Sequence, residues 1–78
     1  MMVGQVVTYE GREWVLAEMK NSAVTGPYGT PCEATVYVLA PLTAAGAASW
    51  VWVTVPNRRP FWWSKEKWTT VERPVPVG

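Results

Sequence analysis

Histidine and aspartate are absent from this 78-residue sequence, and cysteine occurs once, at Cys32. Without histidine the chain lacks the commonest general base and zinc ligand, and it can form no Ser-His-Asp or Cys-His arrangement. A single cysteine has no partner for a disulfide within the chain, and no cationic neighbour activates its thiol. The stretch TGPYGT (25–30) lacks the spacing and the lysine of a phosphate-binding loop. We therefore expect no enzyme activity, no metal site and no cofactor.

Charge is scarce and unevenly distributed. The net charge is +1, which gives no general attraction to nucleic acid or to an anionic membrane. Residues 1–57 hold two cations against four glutamates, whereas residues 58–78 hold five cations against two glutamates. The C-terminal third is therefore mildly basic, though far less so than the polybasic stripes of dedicated nucleic-acid binders.

The sequence predicts neither a targeting segment nor a membrane span. The start, MMVGQVV, lacks the basic region and the apolar run of a signal peptide. Residues 34–56 are uncharged and long enough to cross a bilayer, but a proline, a glycine and two hydroxyl residues interrupt their centre. Two strands joined by a loop fit this stretch better. We expect a small cytoplasmic accessory protein, such as bacteria and their phages encode.

Residues 4–19 (GQVVTYEGREWVLAEM) predict a β-hairpin. If Glu10 and Gly11 are the two turn residues, Tyr9 faces Arg12 across the strands, and Gly11 supplies the positive φ that such a turn requires. Period-two alternation then defines one apolar face. The side chains on that face are Val7, Tyr9, Trp14 and Leu16.

A long loop and two further strands are expected in the middle of the chain. Residues 20–33 are rich in Gly, Pro, Ser and Thr and show no periodicity, which predicts a flexible loop. Residues 34–40 predict a strand and residues 42–49 a loop. Residues 49–55 (SWVWVTV) give the strongest strand pattern, and both of its faces are apolar. Such a strand is either covered on both sides or presents its tryptophan face to a partner.

The C-terminal third predicts one more short strand. We expect it near residues 68–71, after a proline-flanked turn at 56–60 and before an extended tail at 74–78. No segment shows helical periodicity over eleven or more residues. Five short antiparallel strands without a substantial helix predict a single all-β domain over residues 1–78, either a small barrel, which we favour, or a half-open sandwich.

The opening hairpin carries a resemblance to known families. VGQVVTYEGREWVLAE (3–18) resembles the first hairpin of many SH3-like small β-barrels, with its glycine, alternating valines, tight turn and aromatic residue. The same stretch is similar to the start of small chitin-binding carbohydrate-binding modules, which carry a VxYxGxxW/Y hairpin. The likeness covers sixteen residues and implies an SH3-like barrel. It transfers no binding residue to this chain.

The segment RRPFWWSKEKW (58–68) places three tryptophans, one phenylalanine and four cations in eleven positions. Its tryptophans could fill the core and the barrel rim, with lysine stems covering them. They could instead form a protein-binding or self-association surface, because Trp and Arg are enriched at interface hot spots. A third interpretation is single-stranded nucleic acid, with bases stacked on the rings and cations on the phosphates. Carbohydrate stacking on Trp62 or Trp63 is a fourth.

We favour a non-catalytic interaction module whose partner is another protein or a second copy of the chain. Single-stranded nucleic acid remains the alternative partner, and no membrane partner is expected. The predicted partner-binding residues are Trp50, Trp52, Arg58, Arg59, Trp62, Trp63, Lys65, Lys67 and Trp68.

Overall fold

The computed structural model of the chain describes residues 1–42 and 49–77. The elements within them are β1 (Val6–Tyr9), β2 (Arg12–Thr25), β3 (Pro31–Pro41), β4 (Val51–Pro56), α1 (Lys65–Thr70) and β5 (Val75–Pro76). The five strands form one antiparallel sheet in the order β4-β3-β2-β1-β5, which confirms the all-β prediction. The sheet is open, with β4 and β5 at its opposite edges, and does not close into the small barrel that we favoured from the sequence. The loop predicted at 42–49 falls mostly outside the described residues.

The first hairpin has the predicted turn and register. Glu10 and Gly11 both have positive φ, at 53° and 73°, which are the angles of a two-residue turn that matches the twist of the strands. Tyr9 faces Arg12, as the sequence predicts. The indole N–H of Trp14 donates to the Tyr9 carbonyl at 3.1 Å, so the largest side chain of the hairpin has its polar atom satisfied.

The main hydrophobic cluster lies on one face of the sheet. The members of this cluster are Val7, Trp14, Leu16, Leu39, Val53 and Val55. Three further residues of β3 are buried on the opposite face: Ala34, Val36 and Val38. The two valines of β4 alternate along the strand with Trp52 and Thr54, which are exposed on the other face. Because β4 is an edge strand with one exposed face, the alternative of a strand covered on both sides is wrong.

The predicted 20–33 loop is instead the outer half of a long two-stranded ribbon. β2 continues to Thr25, β3 begins at Pro31, and these two residues face each other in the register. The turn between them closes where the Gly26 N–H donates to the Thr30 carbonyl at 3.2 Å. Beyond β4 the ribbon has no third strand, so most of its side chains are exposed on both faces. Strands without a buried face need no apolar alternation, and periodicity therefore could not reveal them.

The strand predicted near residues 68–71 is also wrong, because most of this stretch belongs to α1. Ser64 caps the helix: its hydroxyl accepts from the Lys67 N–H at 3.0 Å, and Glu66 lies in the first turn. Six residues are too few to show a helical period. The described part of the chain contains no helix long and apolar enough to cross a membrane.

The C-terminal segment returns to the first hairpin. β5, which lies within the predicted extended tail, pairs with β1 so that Val75 faces Thr8. The carboxylate of Glu72 accepts a hydrogen bond from the Glu10 N–H at 2.7 Å. Residues 57–74 therefore connect the two edges of the sheet and are tied down at the β1–β2 turn.

This arrangement gives Tyr9 an altered titration. Burial raises the pKa of its phenol above the ordinary value, and the carboxylates of Glu10 and Glu72 raise it further. Because the folded state holds the proton more tightly, this contribution to stability is complete below about pH 10 and is lost as the pH rises through the folded-state pKa. We expect the wild type to lose more stability than Tyr9→Phe as the pH rises above about 10.

Urea denaturation at several pH values measures the difference, with the same change at the exposed Tyr28 as the matched control. Parallel stability–pH curves for wild type and Tyr9→Phe would contradict the expectation.

Candidate partner-binding surface

The six tryptophans divide between core and surface. Trp14 alone belongs to the core cluster, with 8% of its side chain exposed. The three tryptophans that are half-buried outside that cluster are Trp62, Trp63 and Trp68. Trp50 and Trp52 are exposed to 55% and 64%. The tryptophan-rich segment is thus a surface layer and not the centre of the core.

An open cleft of about 440 Å³ lies between the β2–β3 turn and the segment that follows β4. We name it the hairpin-tip cleft; its lining includes Cys32, Glu33, Arg58, Arg59, Phe61 and Trp62. One wall is anchored to β3, because the Asn57 N–H donates to the Glu33 carbonyl at 2.9 Å and the Thr35 hydroxyl donates to the Asn57 side chain at 2.8 Å. Of the predicted binding residues, the cleft brings together Arg58, Arg59 and Trp62.

An aromatic stack borders the cleft. The rings of Tyr28 and Phe61 are nearly parallel with centroids 5.8 Å apart, and Phe61 meets Trp62 edge-on at 5.3 Å. Trp62 in turn lies flat against Gly26, which has no side chain to obstruct it. Tyr28 and Phe61 are 76% and 66% exposed. Neither was predicted as a binding residue; the available signal was an aromatic residue inside the glycine-flanked turn TGPYGT.

A second aromatic cluster is stabilised by cations of the chain itself. The rings of Trp63 and Trp68 are tilted, with centroids 6.2 Å apart. The Lys67 ammonium lies 4.5 Å from the Trp63 ring and the Arg73 guanidinium 4.5 Å from the Trp68 ring. Arg59 also donates to the Trp63 carbonyl at 2.8 Å. The ring faces and the Lys67 and Arg73 cations are engaged in holding residues 63–73 together, and Arg59 commits one of its five N–H donors to the same segment.

The remaining predicted residues lie elsewhere. Trp50 precedes β4 and Trp52 lies within it, where the Lys20 ammonium is 4.8 Å from the Trp52 ring. Arg58 is six positions after Trp52, which is about 20 Å along an extended strand. Lys65 is exposed at the start of α1. The predicted binding residues are therefore divided among the hairpin-tip cleft, the Trp63–Trp68 cluster with α1, and a tryptophan strip along β4.

No family model, curated protein or solved structure matches the chain. The chemistry of the surface itself has to indicate the function. The half-buried Cys32 thiol lies 3.6 Å and 3.8 Å from the carbonyls of Glu33 and Arg58. No three His, Cys, Asp or Glu side chains within residues 1–42 and 49–77 are placed to hold a metal ion. What the cleft offers a ligand is flat apolar rings, two guanidinium groups and one carboxylate.

Proposed function

We propose that the chain is a non-catalytic interaction module that binds a segment of another protein at the hairpin-tip cleft. The observation that carries this proposal is the exposed Tyr28–Phe61 stack beside a cleft that also contains Arg58 and Arg59. Aromatic and arginine side chains dominate the binding energy of protein interfaces. A monomer that exposes two adjacent aromatic rings next to a concavity has the features of an interaction site.

The cleft favours a particular kind of partner. Its volume of about 440 Å³ lies within the range of small ligand sites and has room for one large apolar side chain and its neighbours. Arg58 and Arg59 against Glu33 leave one net positive charge at the rim. We therefore expect a peptide segment with an aromatic or aliphatic anchor followed or preceded by an acidic residue.

The likeness to SH3-like domains is part of this proposal. The confirmed first hairpin and a sheet in which the first four strands pair with their chain neighbours support it. The open sheet departs from the closed barrel that the likeness implies. The proposed binding mode therefore rests on the cleft, and no residue role is carried over from that family.

Single-stranded nucleic acid is the second candidate. The exposed ring faces of Tyr28 and Phe61 next to two arginines favour it, because bases stack on such rings. Two features count against it: Glu33 places a negative charge in the cleft, and Lys67 already faces a tryptophan ring. Binding of this kind would weaken steeply with salt, whereas an apolar anchor in the cleft would not.

Selection from a random peptide library on the immobilised protein tests the proposal. We expect Phe61→Ala to weaken a selected peptide by at least about tenfold, because an exposed anchor ring is lost. Trp52→Ala removes an equally exposed aromatic ring outside the cleft and is the matched control. A mixed-sequence single-stranded oligonucleotide at low and high salt is the second arm.

The proposal fails if Trp52→Ala weakens the peptide as much as Phe61→Ala does, or if no peptide is recovered. If the oligonucleotide binds in a way that salt reverses and that depends on Phe61, the cleft is a nucleic-acid site and not a peptide site. Circular dichroism of each variant verifies that the fold is retained.

A further inference from the structure

The two edges of the sheet differ in their capacity to pair with another strand. In antiparallel sheets the backbone groups of successive residues point alternately toward and away from the neighbouring strand. The Val77 N–H donates to the Val6 carbonyl at 3.0 Å, so the intervening Pro76 has its backbone directed to the open side of β5. Proline has no N–H to offer there, and β5 is only two residues long. This edge is blocked against further pairing.

The β4 edge lacks such protection over most of its length. The hydrogen bond from Asn57 to Glu33 fixes the alternation, so Val51, Val53 and Val55 bond to β3. The N–H and C=O groups of Trp52 and Thr54 consequently point away from the sheet. Within the described residues no strand pairs with them. β4 carries no charge, and its one proline is its last residue.

We infer that a second copy of the chain pairs antiparallel with β4 across this edge, with the two-fold axis at Trp52. Trp52 then faces Trp52 of the second copy, and Trp50 faces Thr54 of the second copy. In this register Trp50, Trp52 and Thr54 each face a residue of the second copy that has both a backbone N–H to donate and a backbone carbonyl to accept. With the axis at Val53, Trp50 would face Pro56, which cannot donate. The inference goes beyond the cleft function and does not depend on it.

Charge permits this pairing. The nearest basic residue beyond β4 is Arg58, six residues from the axis, so the two copies of Arg58 lie about 40 Å apart, beyond the screening length of about 8 Å. The Lys20 ammonium lies 4.8 Å from the Trp52 ring, close to the axis, and 3.7 Å from the Glu18 carboxylate, so each copy brings one cation paired with one anion to this place. A second copy therefore meets an edge that carries no net charge and has the same hydrogen-bonding pattern as its own.

The surface area that the two copies can bury at the β4 edge determines how tightly we expect them to associate. Trp50 and Trp52 are 55% and 64% exposed, and a tryptophan offers about 150–250 Å² for burial. Two such rings and a short strand from each copy give an interface at the low end of the size range, below about 1,200 Å². We expect a weak dimer with a dissociation constant on the order of tens to hundreds of micromolar.

Sedimentation equilibrium from about 10 μM to 1 mM tests the pairing, with the mass rising from 8.7 kDa toward twice that value. Thr54→Pro removes an outward N–H without removing a β3–β4 hydrogen bond, and we expect it to raise the dissociation constant at least about tenfold. Thr54→Lys, which changes no backbone group and adds a charge to the edge, replaces it if the proline variant does not fold. Phe61→Ala, in the cleft, is the control and should dimerise like the wild type. Loss of dimer and loss of peptide binding are thus scored separately.

Cysteine cross-linking tests the register in a Cys32→Ser background with oxidised glutathione. Trp52→Cys should form a disulfide-linked dimer, because residues facing each other have Cα atoms about 5.5 Å apart. Thr54→Cys alone should not, because its copies lie about 13 Å apart along the strands, but it should cross-link when mixed with Trp50→Cys. A monomer at the highest concentration, a dimer unaffected by the Thr54 variants, or equal cross-linking of Thr54→Cys alone would overturn the inference.

Discussion

Replacing Trp14 by alanine should remove most of the stability of the protein, although five other tryptophans remain. Trp14 is the largest side chain of the core, packs in the same cluster as Val7 and Leu16, and donates its indole N–H to the Tyr9 carbonyl. Truncating a buried tryptophan costs about 3–5 kcal/mol. A domain of this length has about 4–12 kcal/mol in total. We therefore expect a largely unfolded protein or a very low urea midpoint.

Trp52→Ala is the matched control, because the same side chain is removed from an exposed position on β4. A surface truncation of this kind changes stability by about 0.5 kcal/mol. Urea denaturation followed by circular dichroism, at low protein concentration, compares the two variants. Equal midpoints for Trp14→Ala and wild type, or collapse of Trp52→Ala, would contradict the division of the tryptophans between core and surface.

Gly26→Ala should destabilise the protein by about 1–3 kcal/mol, the usual cost of overpacking. A Cβ at position 26 would lie 2.6–2.7 Å from three ring carbons of Trp62, so the indole has to move. Because Phe61 contacts the same ring, the displacement should also weaken peptide binding at the hairpin-tip cleft. Because the loss of stability arises from the clash with the Trp62 ring, Gly26→Ala should cost no stability in a Trp62→Ala background.

A double-mutant cycle measures this coupling. Gly29→Ala is the control, since Gly29 has a φ of +77° but its Cβ would meet no atom within 4 Å. Its backbone strain should cost the same in both backgrounds. The packing explanation is wrong if Gly26→Ala is neutral, or if its cost is unchanged when Trp62 is already alanine.

The parts of the fold that the sequence predicts well are local. The Glu10–Gly11 turn and the alternation around it determine the first hairpin and its register, because the signals lie within sixteen residues. The outer ribbon at 20–33 was missed because strands exposed on both faces have no alternation. α1 was missed because six residues show no period, although the Ser64 cap was readable.

The features that could not be predicted from the sequence depend on contacts between residues that are far apart in the chain. SWVWVTV predicts a strand, but whether that strand is central or at an edge depends on the strand order, which no local pattern encodes. Arg58, Arg59 and Trp62 were predicted as neighbours because they are close in sequence. Tyr28 joins them only because the β2–β3 turn folds next to Phe61, 33 residues later in the chain.

The most direct test of the cleft as the partner site is a fluorine NMR titration of protein labelled with 5-fluorotryptophan. The six tryptophans give six probes, each assigned by a Trp→Phe variant, and they lie in the core, at the cleft, in the Trp63–Trp68 cluster and along β4. The titrant is a peptide selected on the immobilised protein. We predict a saturable shift that is largest at Trp62 and minimal at Trp14 and Trp50. A shift largest at Trp50 or Trp52, with Trp62 unchanged, would contradict the assignment.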